Sequence, residues 1–276
     1  MLRSGLQLLR TAGLVAAFGF AALGNPLAAP AEPEDPWPGL VRDVFNGRPL
    51  LDAAGLISLE MPYRAEDAAI VPVTMRMSLP AGDTRHVKTL TLVIDQNPAP
   101  VAATFELGSG VSSISTRVRI DSYTNVHAVA ELSDGNLYVT QTFVKASGGC
   151  SAPAGKNAEE AKASLGQMRL RQFARERSEA VSAPREAQIM VRHPNNSGLQ
   201  MDQVTRLYVP AFFVRQLRVW QGDQLVFAAE AGISLSEDPN IRFTYRPNGA
   251  ATLRAEAIDT DGHVFKGEWP VEASAT

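Results

Sequence analysis

The sequence predicts a mainly β protein: two immunoglobulin-like antiparallel β-sandwiches joined by a helical linker, with a short N-terminal helix in front. Three observations predict it. Between residues 56 and 146 apolar residues recur at alternate positions between turn signals, the pattern of half-buried strands. The same rhythm returns from residue 186 to 271. Between the two, residues 157–177 carry a cap and helical spacing.

The N-terminus stands apart from the fold. Arg3 and Arg10 supply a positive start, and residues 14–23 form an apolar run of signal-peptide length, too short to span a bilayer. Ala29-Pro30-Ala31 fits a small-x-small cleavage site, so export to a periplasm is expected, with a mature chain starting near Glu32 and no membrane span left; an uncleaved membrane anchor is the alternative. Residues 32–38 read as an extended, proline- and acid-rich leader. Pro38 then opens a short helix with Leu40, Val41, Val44 and Phe45 on one face and Gly47 as its stop.

Seven strands are predicted next, at 56–61, 70–78, 87–94, 101–107, 113–120, 124–132 and 137–145. Val71/Val73/Met75/Met77 and Ile114/Thr116/Val118/Ile120 alternate cleanly. Seven short strands at this spacing read as a sandwich, and Asp134-Gly135 between two strands is a strong hairpin signal. After residue 156, Asn157 caps a helix with Glu160 three residues on. Ala161, Leu165 and Met168 follow helical spacing, and Arg169, Arg171, Arg175 and Arg177 crowd its last turns, a solvated face or a docking patch for an anionic partner. Residues 178–184 form a linker. Strands resume at 186–192, 216–221, 225–231, 241–245, 252–259 and 264–271, the last two joined by Thr260-Asp261-Gly262-His263.

Charge narrows the partners. The 276-residue chain has 26 Lys+Arg against 29 Asp+Glu. Loss of Arg3 and Arg10 with residues 1–31 takes the 26 to 24, a net charge of −5. Such a chain has no general attraction to phosphate backbones, so nucleic acid is not expected as a partner.

The chemistry concentrates on one residue. Cys150 is the only cysteine, set in Ser147-Gly148-Gly149-Cys150-Ser151-Ala152 at the seam of the two halves. A lone thiol in an oxidising compartment points to a reactive group or to an intermolecular disulfide, here a Cys150-linked dimer, and the alternative is a buried free cysteine serving as a small core residue. Its small neighbours predict an exposed thiol, with Gly148 and Gly149 as the hinge of a mobile loop. Eleven residues, 146–156, could stand roughly 15–18 Å proud at about 3.4 Å per residue. Lys145 and Lys156 could stabilise a thiolate if the loop folds back.

Other chemistry finds little support. His86, His127, His193 and His263 are scattered, so no metal site is expected, and no Walker loop, dinucleotide glycine motif or Gly-x-Ser-x-Gly elbow occurs. No cofactor is expected. A cysteine hydrolase needs a pre-organised thiolate with a histidine and an oxyanion hole, which a Gly-Gly hinge opposes. The protein is therefore expected not to be an enzyme.

Val144-Lys145-Ala146-Ser147-Gly148-Gly149-Cys150 after a β-sandwich resembles SoxY, the thiol-bearing subunit of the SoxYZ sulfur carrier. Ile189-Met190-Val191-Arg192-His193-Pro194, Ser197-Gly198 and Pro210-Ala211-Phe212-Phe213 resemble SoxZ. The order in one chain is similar to fused SoxYZ-like carriers associated with quinoprotein dehydrogenases. The resemblance implies a signal peptide (1–31), leader and helix (32–55), SoxY-like sandwich (56–146), carrier loop (147–156), helix and linker (157–184) and SoxZ-like sandwich (185–276). It also implies a periplasmic carrier that holds thiosulfate-derived or sulfane sulfur on Cys150 for Sox-type periplasmic enzymes. His193, Pro194 and Phe212 match the second subunit as structural positions. One departure is visible: Ser151-Ala152-Pro153 stands where SoxY has trailing glycines, and the loop is tethered at both ends. The alternative reading is an accessory module of a quinoprotein alcohol dehydrogenase system with no sulfur cargo.

Overall fold

Alternation in the sequence becomes alternation in burial. The computed structural model describes residues 35–153, 155, 158–173 and 183–272; the signal-peptide reading, Lys156, Asn157, Arg175 and Arg177 lie outside these residues. Helix α1 (Trp37–Phe45) opens the described chain. In the N-terminal half β1 (Leu50–Asp52), β2 (Ile57–Glu60), β3 (Val71–Met77), β4 (Val87–Ile94) and β5 (Val101–Leu107) follow. β6 (Ser113–Val118), β7 (Thr124–Leu132) and β8 (Leu137–Val144) complete that half. After α2 (Ala158–Ala163) come β9 (Met168–Gln172), β10 (Arg185–Val191), β11 (Val214–Gln221) and β12 (Gln224–Ala231). β13 (Asn240–Tyr245), β14 (Thr252–Asp259) and β15 (Val264–Pro270) end the chain.

In β3 the alternating Val71, Val73, Met75 and Met77 are all buried. β4 departs from alternation because both its faces are covered: Leu90, Leu92, Val93 and Ile94 are buried. The second cover is α1, whose Phe45 packs with Val93, Val129 and Leu137, joined by Trp37, Leu40 and Val44. Of the stripe the sequence predicts, Leu40, Val44 and Phe45 pack in this cluster, while Val41 is outside it and Trp37 joins instead. Trp37 also stacks on His127, centroids 3.5 Å apart, and His127 bonds Asp95 at 2.9 Å. The β7–β8 hairpin turns at Gly135 (φ 83°), where the Asp134 carboxylate accepts the Asn136 N–H at 2.9 Å.

The chain is mainly β and sandwich-like, but its two halves are not separate sandwiches. The described strands form a nine-stranded sheet, β1-β8-β7-β4-β5-β12-β11-β14-β15, and a six-stranded sheet, β2-β3-β6-β13-β10-β9. Each sheet crosses from one half to the other: β5 pairs with β12 in register Leu107↔Phe227, and β6 pairs with β13 in register Ile114↔Phe243. Four strand edges that would otherwise face water are thereby hydrogen-bonded. One apolar core runs through both halves, from Ala53 to Ala257. Phe227 is central to it, its ring 6.3 Å from Phe105 of the first half and 5.0 Å from Phe243. Phe227→Ala should therefore cost about 3–5 kcal/mol. Because the core is shared, urea unfolding followed by Trp37 in one half and by Trp220 and Trp269 in the other should give coincident midpoints in both proteins. Separate midpoints would mean the halves are independent.

Two further predictions are corrected. Among the described residues of the helix expected over 157–177, only α2 is helical, ending before Gly166 (φ 74°). Residues 168–172 form β9 instead, antiparallel to β10 with Leu170 opposite Ile189. Met168-Arg169-Leu170-Arg171 fits period two as well as a helix, and an open partner edge decides between them. Arg169 and Arg171 are exposed on this edge strand, where charge discourages further pairing. The strand β1 was too short to read from the sequence, and it pairs parallel to β8, so the sheet is not wholly antiparallel.

Candidate functional site

The segment carrying Cys150 leaves the end of β8 and is hydrogen-bonded from both halves. Lys145 donates its N–H to the Tyr63 carbonyl at 2.8 Å, and its ammonium sits 4.9 Å from the centre of the Tyr63 ring. That ammonium is therefore committed to an aromatic face. Gly148 (φ 78°) then donates to the Asp121 carbonyl at 2.8 Å, and Gly149 to the Ile120 carbonyl at 2.9 Å. The two glycines have different reasons. Gly148 takes a left-handed conformation, with open space where a Cβ would stand. Gly149 makes a close approach: an added Cβ would lie 2.0 Å from the Ala68 carbonyl oxygen and 2.7 Å from that of Ile120.

The C-terminal half closes the other side. The Ser197 hydroxyl donates to the Cys150 carbonyl at 2.5 Å, and the Gln200 amide donates to the Ala152 carbonyl at 3.0 Å. Gln200 also accepts the Ser197 N–H at 3.0 Å, so these two side chains act as one clamp. Further along, the Gly155 N–H meets the Glu237 carboxylate at 2.8 Å.

Arg119 fills the space behind. It is 1 % exposed. Its guanidinium donates to the Gly149 carbonyl at 3.3 Å and to the Asn195 carbonyl at 3.2 Å, one from each half, and its Nε has no partner. Asn195 is held in a left-handed turn (φ 44°), with its N–H on His193 Nδ1 at 3.1 Å and its side-chain oxygen on the Val214 N–H at 3.1 Å. His193 in turn packs on Phe212, centroids 4.4 Å apart, and lies 3.6 Å from Asp259. The SoxZ-like motif residues thus build the shelf under the thiol segment.

Cys150 is 0 % exposed. The expectation of an exposed thiol is overturned. In this state Gly148 and Gly149 let the segment pack closely against the Asp121, Ile120 and Ala68 backbone. Burial pushes the thiol pKa up to about 11; Asp121 adds to the rise and Arg119 opposes it. In this state Cys150 is a neutral, shielded thiol with no nucleophilic chemistry. Sequence reasoning found Cys150, Gly148 and Gly149, named Ser197 only as part of a motif without a role at the site, and missed Arg119, Gln200 and Asn195. Alternation assigns Arg119 to the face opposite Val118 and Ile120, a solvent position. No local signal marks it as buried.

The histidines do not gather. His127 pairs with Asp95, while His193 and His263 both approach Asp259. Among the described residues no group of three or more His, Cys, Asp or Glu is arranged to hold a metal ion. A depression of about 510 Å³ on the nine-stranded sheet is lined by His86, Lys88, Glu106, Arg218 and Glu230 and does not include Cys150. No helix among the described residues is long and apolar enough to cross a membrane.

The family comparisons divide the chain at this same seam. Residues 41–150 match the family of the sulfur oxidation protein SoxY, and residues 174–270 match that of the sulphur oxidation protein SoxZ. The chain is thus a SoxY-like part followed by a SoxZ-like part, a fused SoxYZ-like arrangement. The SoxY match ends on Cys150; from the SoxZ part Ser197 bonds the Cys150 carbonyl, Gln200 the Ala152 carbonyl, and the Asn195 carbonyl accepts from Arg119. No curated protein matches the chain. Among solved structures, the sulfur carrier protein SoxY from Chlorobium limicola f thiosulfatophilum is 23% identical with a TM-score of 0.33, covering 40% of this chain and 94% of that one. A superoxide reductase (neelaredoxin) from Ignicoccus hospitalis is 12% identical with a TM-score of 0.28, covering 33% of this chain and 79% of that one. Scores of this size establish no shared function.

Proposed function

We propose that the chain is a periplasmic covalent carrier of sulfur intermediates, holding a thiosulfate-derived or sulfane sulfur group on the thiol of Cys150 and presenting it to Sox-type enzymes. One observation carries this reading: the SoxY match runs to the single cysteine of the chain and stops there. The protein itself is not an enzyme in this reading; chemistry on the bound sulfur belongs to its partners. Cys150 is stored closed, and loading requires residues 147–153 to lift from Arg119, Ser197 and Gln200. Local opening of this kind spans free energies from near zero up to global stability.

The test is the mass of folded protein after incubation with tetrathionate. A thiosulfate group should appear on Cys150 and be absent from Cys150→Ser. A thiol that stays unmodified until the chain is unfolded would sink the proposal. Export is checked separately, by an N-terminus of the secreted protein starting near Glu32.

The burial of Cys150 favours a second reading: an accessory module of a periplasmic quinoprotein alcohol dehydrogenase system, in which the thiol is a core residue. That reading expects Cys150→Ser to leave partner binding and alcohol oxidation unchanged.

A further inference from the structure

We infer that Arg119 is the anion site for the sulfur group built on Cys150, its guanidinium receiving the negative charge of a thiosulfonate or persulfide. The inference rests on the carrier reading and adds to it the chemistry of the loaded state. A guanidinium carries five N–H donors, and Arg119 spends two hydrogen bonds on neutral carbonyls while Nε stays unpartnered. Among the described residues no carboxylate lies within ion-pair distance of it. The acids it feels at longer range are otherwise engaged: Glu237 with the Gly155 N–H, and Asp67 with the Ala69 N–H. Burying a charge with no ion-pair partner is strongly unfavourable. A buried cation with spare donors beside one thiol is a site short of an anion.

The adjacency runs through the backbone next to the thiol. Arg119 holds the carbonyl of Gly149, the residue before Cys150, and the electrostatic influence of each group on the other is felt. The loaded forms Cys–S–S–SO₃⁻ and Cys–S–S⁻ each carry one negative charge where the resting thiol carries none. The forked geometry of a guanidinium suits the oxygens of a sulfonate. A brace that only clamps carbonyls would not depend on the charge of the adduct.

Two reagents separate these roles. The Cys150 thiolate, its proton lost to solvent, attacks the central S–S bond of tetrathionate to give Cys–S–S–SO₃⁻ and release thiosulfate. With methyl methanethiosulfonate it gives the neutral Cys–S–S–CH₃ and releases methanesulfinate. Rates of both are measured on folded wild type and on Arg119→Met. The expected result is a fall of about tenfold or more in the ratio of the tetrathionate rate to the neutral rate, the size of one charge-assisted hydrogen bond. An unchanged ratio, with both rates rising together, would show a brace and overturn the inference while leaving the carrier reading intact. If wild type reacts with neither reagent until unfolded, the carrier reading falls first. Should Arg119→Met fail to fold, wild type decides: its anionic adduct should melt above its methylthio adduct, and the reverse order overturns the inference.

Discussion

In folded protein, Cys150 should react with a small maleimide roughly 10³–10⁴-fold more slowly than in urea, because modification waits for the segment to lift. The clamp comprises the Gly148 and Gly149 N–H bonds, the Ser197 hydroxyl, the Gln200 amide and one arm of Arg119. At about 1 kcal/mol net for each, opening costs about 4–6 kcal/mol. The same burial makes stability depend on alkaline pH. The Cys150 pKa rises on folding from 9.0 to about 11, so the fold binds this proton more tightly than the unfolded chain does. The stabilisation is fully present below pH 9 and is lost as pH climbs toward 11. Two units correspond to about 2–3 kcal/mol. Cys150→Ser removes the titrating group, so its stability should fall less than that of wild type between pH 9 and 11. A wild type and variant that lose stability in parallel would show that the thiol does not titrate from a buried state.

Gly149→Ala should have the largest effect of any single methyl in the segment. Its Cβ would meet two backbone oxygens, of Ala68 and Ile120, and neither can rotate away as a side chain could. Since Ile120 also donates its N–H to Ala68 at 2.8 Å, yielding at one contact disturbs the other. Either the segment stays out or its shelf deforms. Overpacking of this kind costs roughly 1–3 kcal/mol or more, so maleimide labelling of Cys150 should rise by about 10–100-fold. Gly148→Ala is the control. It meets nothing within 4 Å, and its cost is the left-handed backbone alone, about 1 kcal/mol. Equal labelling of the two variants would mean the glycines are interchangeable hinge residues after all.

These contrasts show how far local pattern reaches. The bounds of β4, β5, β7 and β14 could be read residue for residue, because turn residues close each apolar run. The helical reading of residues 168–172 failed because a five-residue run of alternating Met, Arg and Leu is compatible with either period. An unpaired edge on β10 made it a strand. At the candidate site the thiol was legible from its rarity, and the glycines from their position beside it. Its depth was not. Small neighbours permit exposure, but they equally permit close packing, and the side chains that hold this segment come from distant positions, Arg119, Ser197 and Gln200.

By itself, then, the sequence determined the β content, the order of most strands and the joining of a SoxY part to a SoxZ part around a single thiol. Those properties are local, written in periodicity, turn residues and motif order. Tertiary structure alone decided that both sheets run unbroken through the two parts, that Cys150 is closed in, and that a buried guanidinium stands beside it. Each depends on groups distant in sequence finding hydrogen bonds and shelter from water in one another, and nothing in a residue's immediate neighbours records which distant groups those will be.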